Sequence, residues 1–311
     1  MIECTSSLIS QSPHPVYVEL HCASAFSFLQ GASLPEMLID RAAELEYPAL
    51  ALLDRDGVYG APRFHKAARA AGVRPIIGAE LSLNVEARTE KLEGVLTSQF
   101  VLPVLCESQD GYRNLCRLIT RMKMRAPKGE GALTLDDLEG STAGLVALVG
   151  RAALSGHRFG VGGLVDRLVG MFGRDRVYVE IQRHFRRDEH GDNQTLIDLA
   201  DAFHVPVVAT GGVRFATPAS RPLFDVLTCI HHHTDLKRAG RRLAPNAERY
   251  LKSSAAMTAL FADMPKAVAR TRELADRLQY TMADLGYKFP DYPVPPGETQ
   301  ATFLRKITDV G

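Results

Sequence analysis

His21, Asp54, Glu80 and His184 stand at or shortly after the ends of short apolar runs, and Arg55, Arg151 and Arg214 occupy equivalent places. Imidazoles and carboxylates collected at one end of a fold are the ligand types of a divalent-cation site, which can activate water for attack on a phosphoester. Arginine does the reverse. Its guanidinium stays protonated, offers only donors and repels a cation. The residue types therefore outline a metal centre while denying it part of its ligand set.

The runs that carry these residues are 16–20, 49–53, 75–79, 100–105, 145–150, 177–181 and 205–209. Continuous apolar stretches of this length suit strands buried on both faces of a parallel sheet, whose C-terminal ends build the site in α/β folds. Segments with helical spacing lie between them. Residues 33–46 open with a Ser-x-x-Glu capping box (Ser33, Glu36) and carry Pro35 in the first turn. Residues 60–71 are closed by Gly72, and 111–125 align Leu115, Leu118, Ile119 and Met122 on one stripe. Residues 162–172 and 194–203 complete the series. Repeated βα units imply parallel strands with right-handed crossovers. A βα barrel is favoured over an open doubly wound sheet, because no Gly-x-Gly-x-x-Gly follows the first run.

With 311 residues, 46% hydrophobic and 23% charged, the chain has an ordinary globular composition. A formal net charge of +1 supplies no global field to draw in nucleic acid, so any strong phosphate-binding surface is local. Cys4, Cys22, Cys106, Cys116 and Cys229 are odd in number and lack CxxC pairing, which favours free thiols over disulfides. No run is long enough to span a bilayer, and residues 1–15 lack the basic and apolar regions of a secretion signal. A cytoplasmic location, no membrane partner and a flexible N-terminal tail over 1–15 are expected.

Beyond about Phe215 the character changes. Residues 231–245 are basic and loop-like, and 255–279 read as two helices broken near Asp263-Met264-Pro265. Residues 289–297 are proline-rich and read as an extended linker, while 300–309 start an amphipathic helix that reads as the edge of a longer chain.

Three stretches carry a family resemblance. His21-Cys22-Ala23-Ser24-x-Phe26-Ser27-Phe28-Leu29-x-Gly31-Ala32-Ser33, Leu53-Asp54-Arg55-Asp56-Gly57 and Pro75-Ile76-Ile77-Gly78-Ala79-Glu80 resemble the first three motifs of a PHP (polymerase and histidinol phosphatase) domain. The likeness continues through Gly111–Leu115, Tyr178–His184 and Ala209–Phe215 in the same order, and is similar to the N-terminal region of bacterial C-family DNA polymerases, the polymerase III alpha-subunit family. Ala239–Leu243, Glu248–Lys252 and Pro293–Thr299 look most like the error-prone, damage-tolerant branch. The resemblance implies an α/β fold, a PHP-type distorted (β/α)7 barrel over 16–230, with a mostly helical extension over 231–288. A linker and the start of the polymerase palm region would follow over 289–311. It also implies a parent enzyme acting in damage-induced mutagenic synthesis, with DNA, deoxynucleotides, palm and thumb domains, a sliding clamp and mutagenesis accessory proteins as partners. Magnesium would serve a palm site beyond Gly311, with no cofactor in this fragment.

Intact PHP domains hold up to three zinc or manganese ions. Against that pattern His21, Asp54, Glu80 and His184 are kept, whereas Ala23, Arg55, Val101, Arg151, Gly212 and Arg214 stand at ligand positions. The resemblance with these departures implies a metal-free, structural site in which Arg55, Arg151 and Arg214 replace the cations and pair with Asp54, Glu80 and Asp56. Arg151 is as readily a side chain that snorkels to solvent. An active metal-dependent phosphoesterase or 3′–5′ exonuclease, and the replicative branch of the family, are the rival readings. Arg186, Arg187, Lys237, Arg241 and Arg242 form local basic clusters, readable as solvated faces or as DNA contacts. His231-His232-His233 and His65 are read as solvated or boundary residues rather than ligands, and Asp136-Asp137 and Asp188-Glu189 as caps or loop acids.

Overall fold

Alternation along the strands decides what faces the interior. The inward positions Ala49, Ala51 and Leu53, then Ile76, Leu105, Val146, Leu148, Tyr178 and Val208, form one buried apolar cluster. Further along the same faces come Arg55, Glu80, Glu180, Gln182 and Thr210, so one end of the interior is apolar and the other polar. The computed structural model that shows this describes residues 17–87, 96–127, 130–156, 161–283 and 292–310; the expected tail over 1–15 lies outside them.

The strands are β1 (Ala49–Arg55), β2 (Arg74–Ala87), β3 (Leu96–Cys106), β4 (Leu133–Thr134), β5 (Leu145–Val149), β6 (Val177–Gln182) and β7 (Val207–Thr210). They form a mixed sheet in the order β1-β2-β3-β5-β6-β7, with the short β4 beside β2. The β1/β2, β5/β6 and β6/β7 pairs are parallel. β3 is antiparallel to both β2 and β5, which corrects the all-parallel expectation. Its cause is chain length: only residues 88–95 separate β2 from β3, and a parallel pair needs a crossover of about a dozen residues or more.

The expected first strand is not part of the ladder. Instead, single bridges tie the segment 17–23 to both edges of the sheet. On one side Ala51 N–H donates to Glu19 O at 3.0 Å and Leu53 N–H to Cys22 O at 2.7 Å. On the other, Val213 N–H donates to His21 O at 2.8 Å and Ala23 N–H to Val213 O at 2.9 Å. The sheet is curled so that β1 and the chain just after β7 approach the same segment.

Helices Pro35–Glu44, Ala61–Ala71, Gln109–Met124, Val161–Phe172 and Glu189–Phe203 fall where the periodicity places them, within a few residues. The Ser33 capping box does not form. Leu34 is the N-cap, with no side-chain cap, and Ser33 Oγ instead accepts the Ala216 N–H at 2.9 Å, tying the first motif to the chain after β7. Two helices flank Asp263, Ser254–Leu260 and Pro265–Arg277. The second closes the apolar end of the sheet, because Leu274, Ala275 and Leu278 belong to the same core cluster. Arg74 caps it by donating to the Ala275 and Leu278 carbonyls, both at 2.7 Å. A helix that composition alone did not reveal, Arg221–His231, precedes the basic loop. Residues through Thr281 make one compact unit and those from Met282 a second. In the second, helix Gln300–Val310 is opened by Thr299 and Thr302, which bond each other's backbone.

Candidate functional site

The polar end of the curled sheet is organised around Glu80. Arg55, the last residue of β1, lies opposite Glu80 in register and reaches Oε2 through Nε at 2.9 Å. Arg214, four residues past β7, donates to Oε1 at 2.6 Å and Oε2 at 3.3 Å, a bidentate fork. Glu80 is 1% exposed and Arg214 8%, so this pair sits away from bulk water. Burial by itself would raise the Glu80 carboxyl, but Arg214 and then Arg55 hold it well below the usual range.

His21 is wedged between two carboxylates. Its Nε2 lies 2.7 Å from Glu80 Oε1 and its Nδ1 2.7 Å from Glu180 Oε1. Burial pushes the imidazole down, yet Glu180 and Glu80 outweigh it and lift the group to about 9. Both ring nitrogens thus face carboxylates, an arrangement that favours the imidazolium form. Glu180 also accepts from Thr210 Oγ1 at 2.5 Å. Below it, Glu19 accepts from Tyr17 Oη at 2.7 Å and from the His21 and Gly211 N–H groups, both at 2.8 Å. Burial dominates there and raises the Glu19 carboxyl to about 7. A Cβ at Gly211 would lie 2.6 Å from Glu19 Oε2, so a larger residue there would displace the carboxylate.

Asp54 meets no arginine. Its Oδ1 accepts from Ser24 N–H at 2.8 Å, Ser24 Oγ at 2.9 Å and Ser27 Oγ at 2.8 Å, so it fastens the loop of the first motif. Asp56 likewise turns to Ser82, at 2.8 Å from both its N–H and its Oγ. Arg151 lines the mouth with Arg55, Glu80 and Arg214, as expected, but its ion pairs are with Asp188 and Asp192, both at 2.5 Å, on helix Glu189–Phe203 and its N-cap. It sits at the start of helix Arg151–Gly156, which lies alongside that helix, so nearer carboxylates capture it. His184 is engaged at both nitrogens, with Nε2 donating to Gly211 O at 2.8 Å and Nδ1 3.2 Å from Glu189 Oε1.

The metal-type side chains are engaged with other groups of the chain. Glu80 is covered by two guanidinium groups, His21 by two carboxylates, and His184 Nε2 by a carbonyl. Among the described residues no group of three or more His, Cys, Asp or Glu is arranged to hold a metal.

Glu19 and Glu180 were overlooked in the sequence because they sit inside apolar runs rather than at their ends. A charge embedded in a doubly buried strand was the available signal, since it needs a buried partner. Of the basic candidates, Arg186, Arg241 and Arg242 line one cavity, whereas Arg187 is exposed outside it and Lys237 lines a different one. His231, His232 and His233 are exposed, and His65 is half-buried on helix Ala61–Ala71. Asp137 completes a capping box with Thr134 and binds Arg125 at 2.7 Å. Cys22, Cys106, Cys116 and Cys229 are free thiols. No helix of the described residues is long and apolar enough to cross a membrane.

The profile of the PHP domain matches residues 19–184. The chain is 39% identical over 305 residues to the error-prone DNA polymerase of Mycolicibacterium paratuberculosis, covering 95% of this chain and 28% of that protein. Identity is 37% to the error-prone DNA polymerase of Anaeromyxobacter dehalogenans, over 91% of this chain and 24% of that one. It is 34% to that of Pseudomonas aeruginosa, over 95% and 26%. The chain thus spans about a quarter of the length of the curated relatives it matches. A solved amidohydrolase from Chromobacterium violaceum overlaps 64% of this chain and 88% of its own at 17% identity, with a TM-score of 0.44.

Proposed function

The chain belongs to the PHP domain family, and from that premise we propose that it is the N-terminal PHP region of an error-prone DNA polymerase in which the PHP site has become structural. The boundaries we assign are a distorted barrel over 16–230, a helical extension over 231–288, and a linker with the start of the palm region over 289–311. The parent enzyme would copy DNA in damage-induced mutagenic synthesis in the cytoplasm, using a magnesium site beyond Gly311, with a sliding clamp and mutagenesis accessory proteins as partners. The 34–39% identity to error-prone DNA polymerases over nearly the whole chain supports this branch.

One observation carries the structural reading: Arg55 and Arg214 both grip Glu80 while His21 is locked between Glu80 and Glu180. The positive charge that metal ions supply elsewhere in the family comes here from side chains. The role of the cluster is to hold β1, β2, β6 and the chain after β7 together at the open end. The test is incubation of the purified chain with a labelled primer-template, manganese and deoxynucleotides. The reading expects neither extension nor shortening of the primer. Manganese-dependent shortening that disappears in Glu80→Gln would establish the exonuclease reading instead.

A further inference from the structure

Beside the Glu80 cluster lies a second cavity of about 380 Å³, bounded by the extension that follows β7. It is lined by Arg186, Arg214, Arg241, Arg242 and Arg249, and no Asp or Glu lines it. Some of these charges are already used: Arg214 is bound to Glu80, and Arg186 lies 3.6 Å from Asp188. Arg249 is different. Its carbonyl accepts the Arg214 and Phe215 N–H groups, which pins the backbone against the site. Its half-buried guanidinium makes no hydrogen bond or ion pair among the described residues. Burial and the neighbouring Arg214 push that guanidinium down to about 10, although Glu80 and Glu180, which line the adjoining cavity with it, partly offset them. Helix Arg221–His231 brings its C-terminal His231, with His232 next to it, to the same cavity, and Asn246 adds an amide.

We propose that this cavity is a binding site for a terminal phosphate group, with Arg249 as its central anchor. A dianion with three terminal oxygens matches several planar guanidinium forks, and the cavity volume is that of a small-ligand pocket. The site would act by binding, with no bond made or broken. It stands on the cavity and on Arg249, independently of the polymerase reading. The phosphate could belong to a strand end or to a free nucleotide.

Two measurements test it. Thermal unfolding of the chain is followed with inorganic phosphate, deoxyadenosine triphosphate, or chloride at matched ionic strength. Fluorescence anisotropy then compares one oligonucleotide carrying a 5′-phosphate or a 5′-hydroxyl. The proposal expects either phosphate or the triphosphate to raise the melting temperature above the chloride control, or the 5′-phosphate strand to bind at least about tenfold more tightly than its hydroxyl twin. Stabilisation by the free anions with no strand-end preference assigns the free nucleotide; strand-end preference without it assigns the DNA terminus. Arg249→Met should abolish whichever effect is seen while its own melting temperature stays level or rises, since an enclosed cation is removed. No effect of any probe, or an effect that persists undiminished in folded Arg249→Met, overturns the proposal.

Discussion

Protons set how firmly the polar end is held. His21 titrates at about 9 in the fold against 6.5 ordinarily, so its contribution is complete below 6.5 and is lost as pH rises through 9. Glu19, raised from 4.5 to about 7, acts in the same direction one window lower, losing stability as pH climbs from 4.5 through 7. Glu80 and Glu180 are lowered from 4.5, so their contribution is present above that value and disappears as pH falls through the depressed range. Stability should therefore peak in mildly acidic solution and decline toward pH 9. The His21 part is on the order of 3 kcal/mol at about 1.4 kcal/mol per unit. Urea unfolding between pH 5 and 9.5 checks this: His21→Asn should flatten the upper half of the decline, and a wild-type stability that rises with pH would contradict the assignment. Glu80 gives a second prediction. Glu80→Met strands Arg214 and should cost about 3–5 kcal/mol, whereas the Glu80→Met, Arg214→Met double variant should recover most of it in a double-mutant cycle.

Loops and strands place those residues, and they differ in how readable they were. The inner strands were legible because each is apolar on both faces, and Gly72 closed its helix as expected, at φ 71°. The β2–β3 pairing was not, because beyond Glu80 β2 alternates polar with apolar residues, and the apolar run 100–105 in β3 does not show in which direction its strand runs. Residues 16–20 read as a strand from their apolar run, yet the hydrogen bonds of segment 17–23 are divided between two edges, and only the folded sheet decides that. Asp54 was recognised as a site residue, but its partners were not: Ser24 and Ser27 lie in the same motif and answer it at shorter range than any arginine. Asp54→Ala should consequently loosen the first-motif loop, costing about 1–3 kcal/mol for the stranded donors, with faster hydrogen exchange at the Ser24 amide. An unchanged melting temperature would refute that role. Gly211→Ala should be destabilising at any pH, because Glu19 Oε2 occupies the space of the new methyl group.

At the scale of the whole molecule, the two ends of the curled sheet differ in chemistry. Helix Pro265–Arg277 covers the apolar end, while Glu80, Arg55, Arg214, His21 and Glu180 pair with one another at the polar one, around a cavity that they line. In the reading proposed above, ion pairing within the chain takes the place of bound metal at this end of the family's fold. Calorimetric titration of the purified chain with manganese and with zinc tests this most directly, alongside Glu80→Gln and a variant restoring histidine at Ala23, Arg55 and Arg214. No saturable binding to the native chain is expected at the Glu80 cluster, and binding should be gained on restoration. Tight, stoichiometric binding to the native chain that is lost in Glu80→Gln would contradict it.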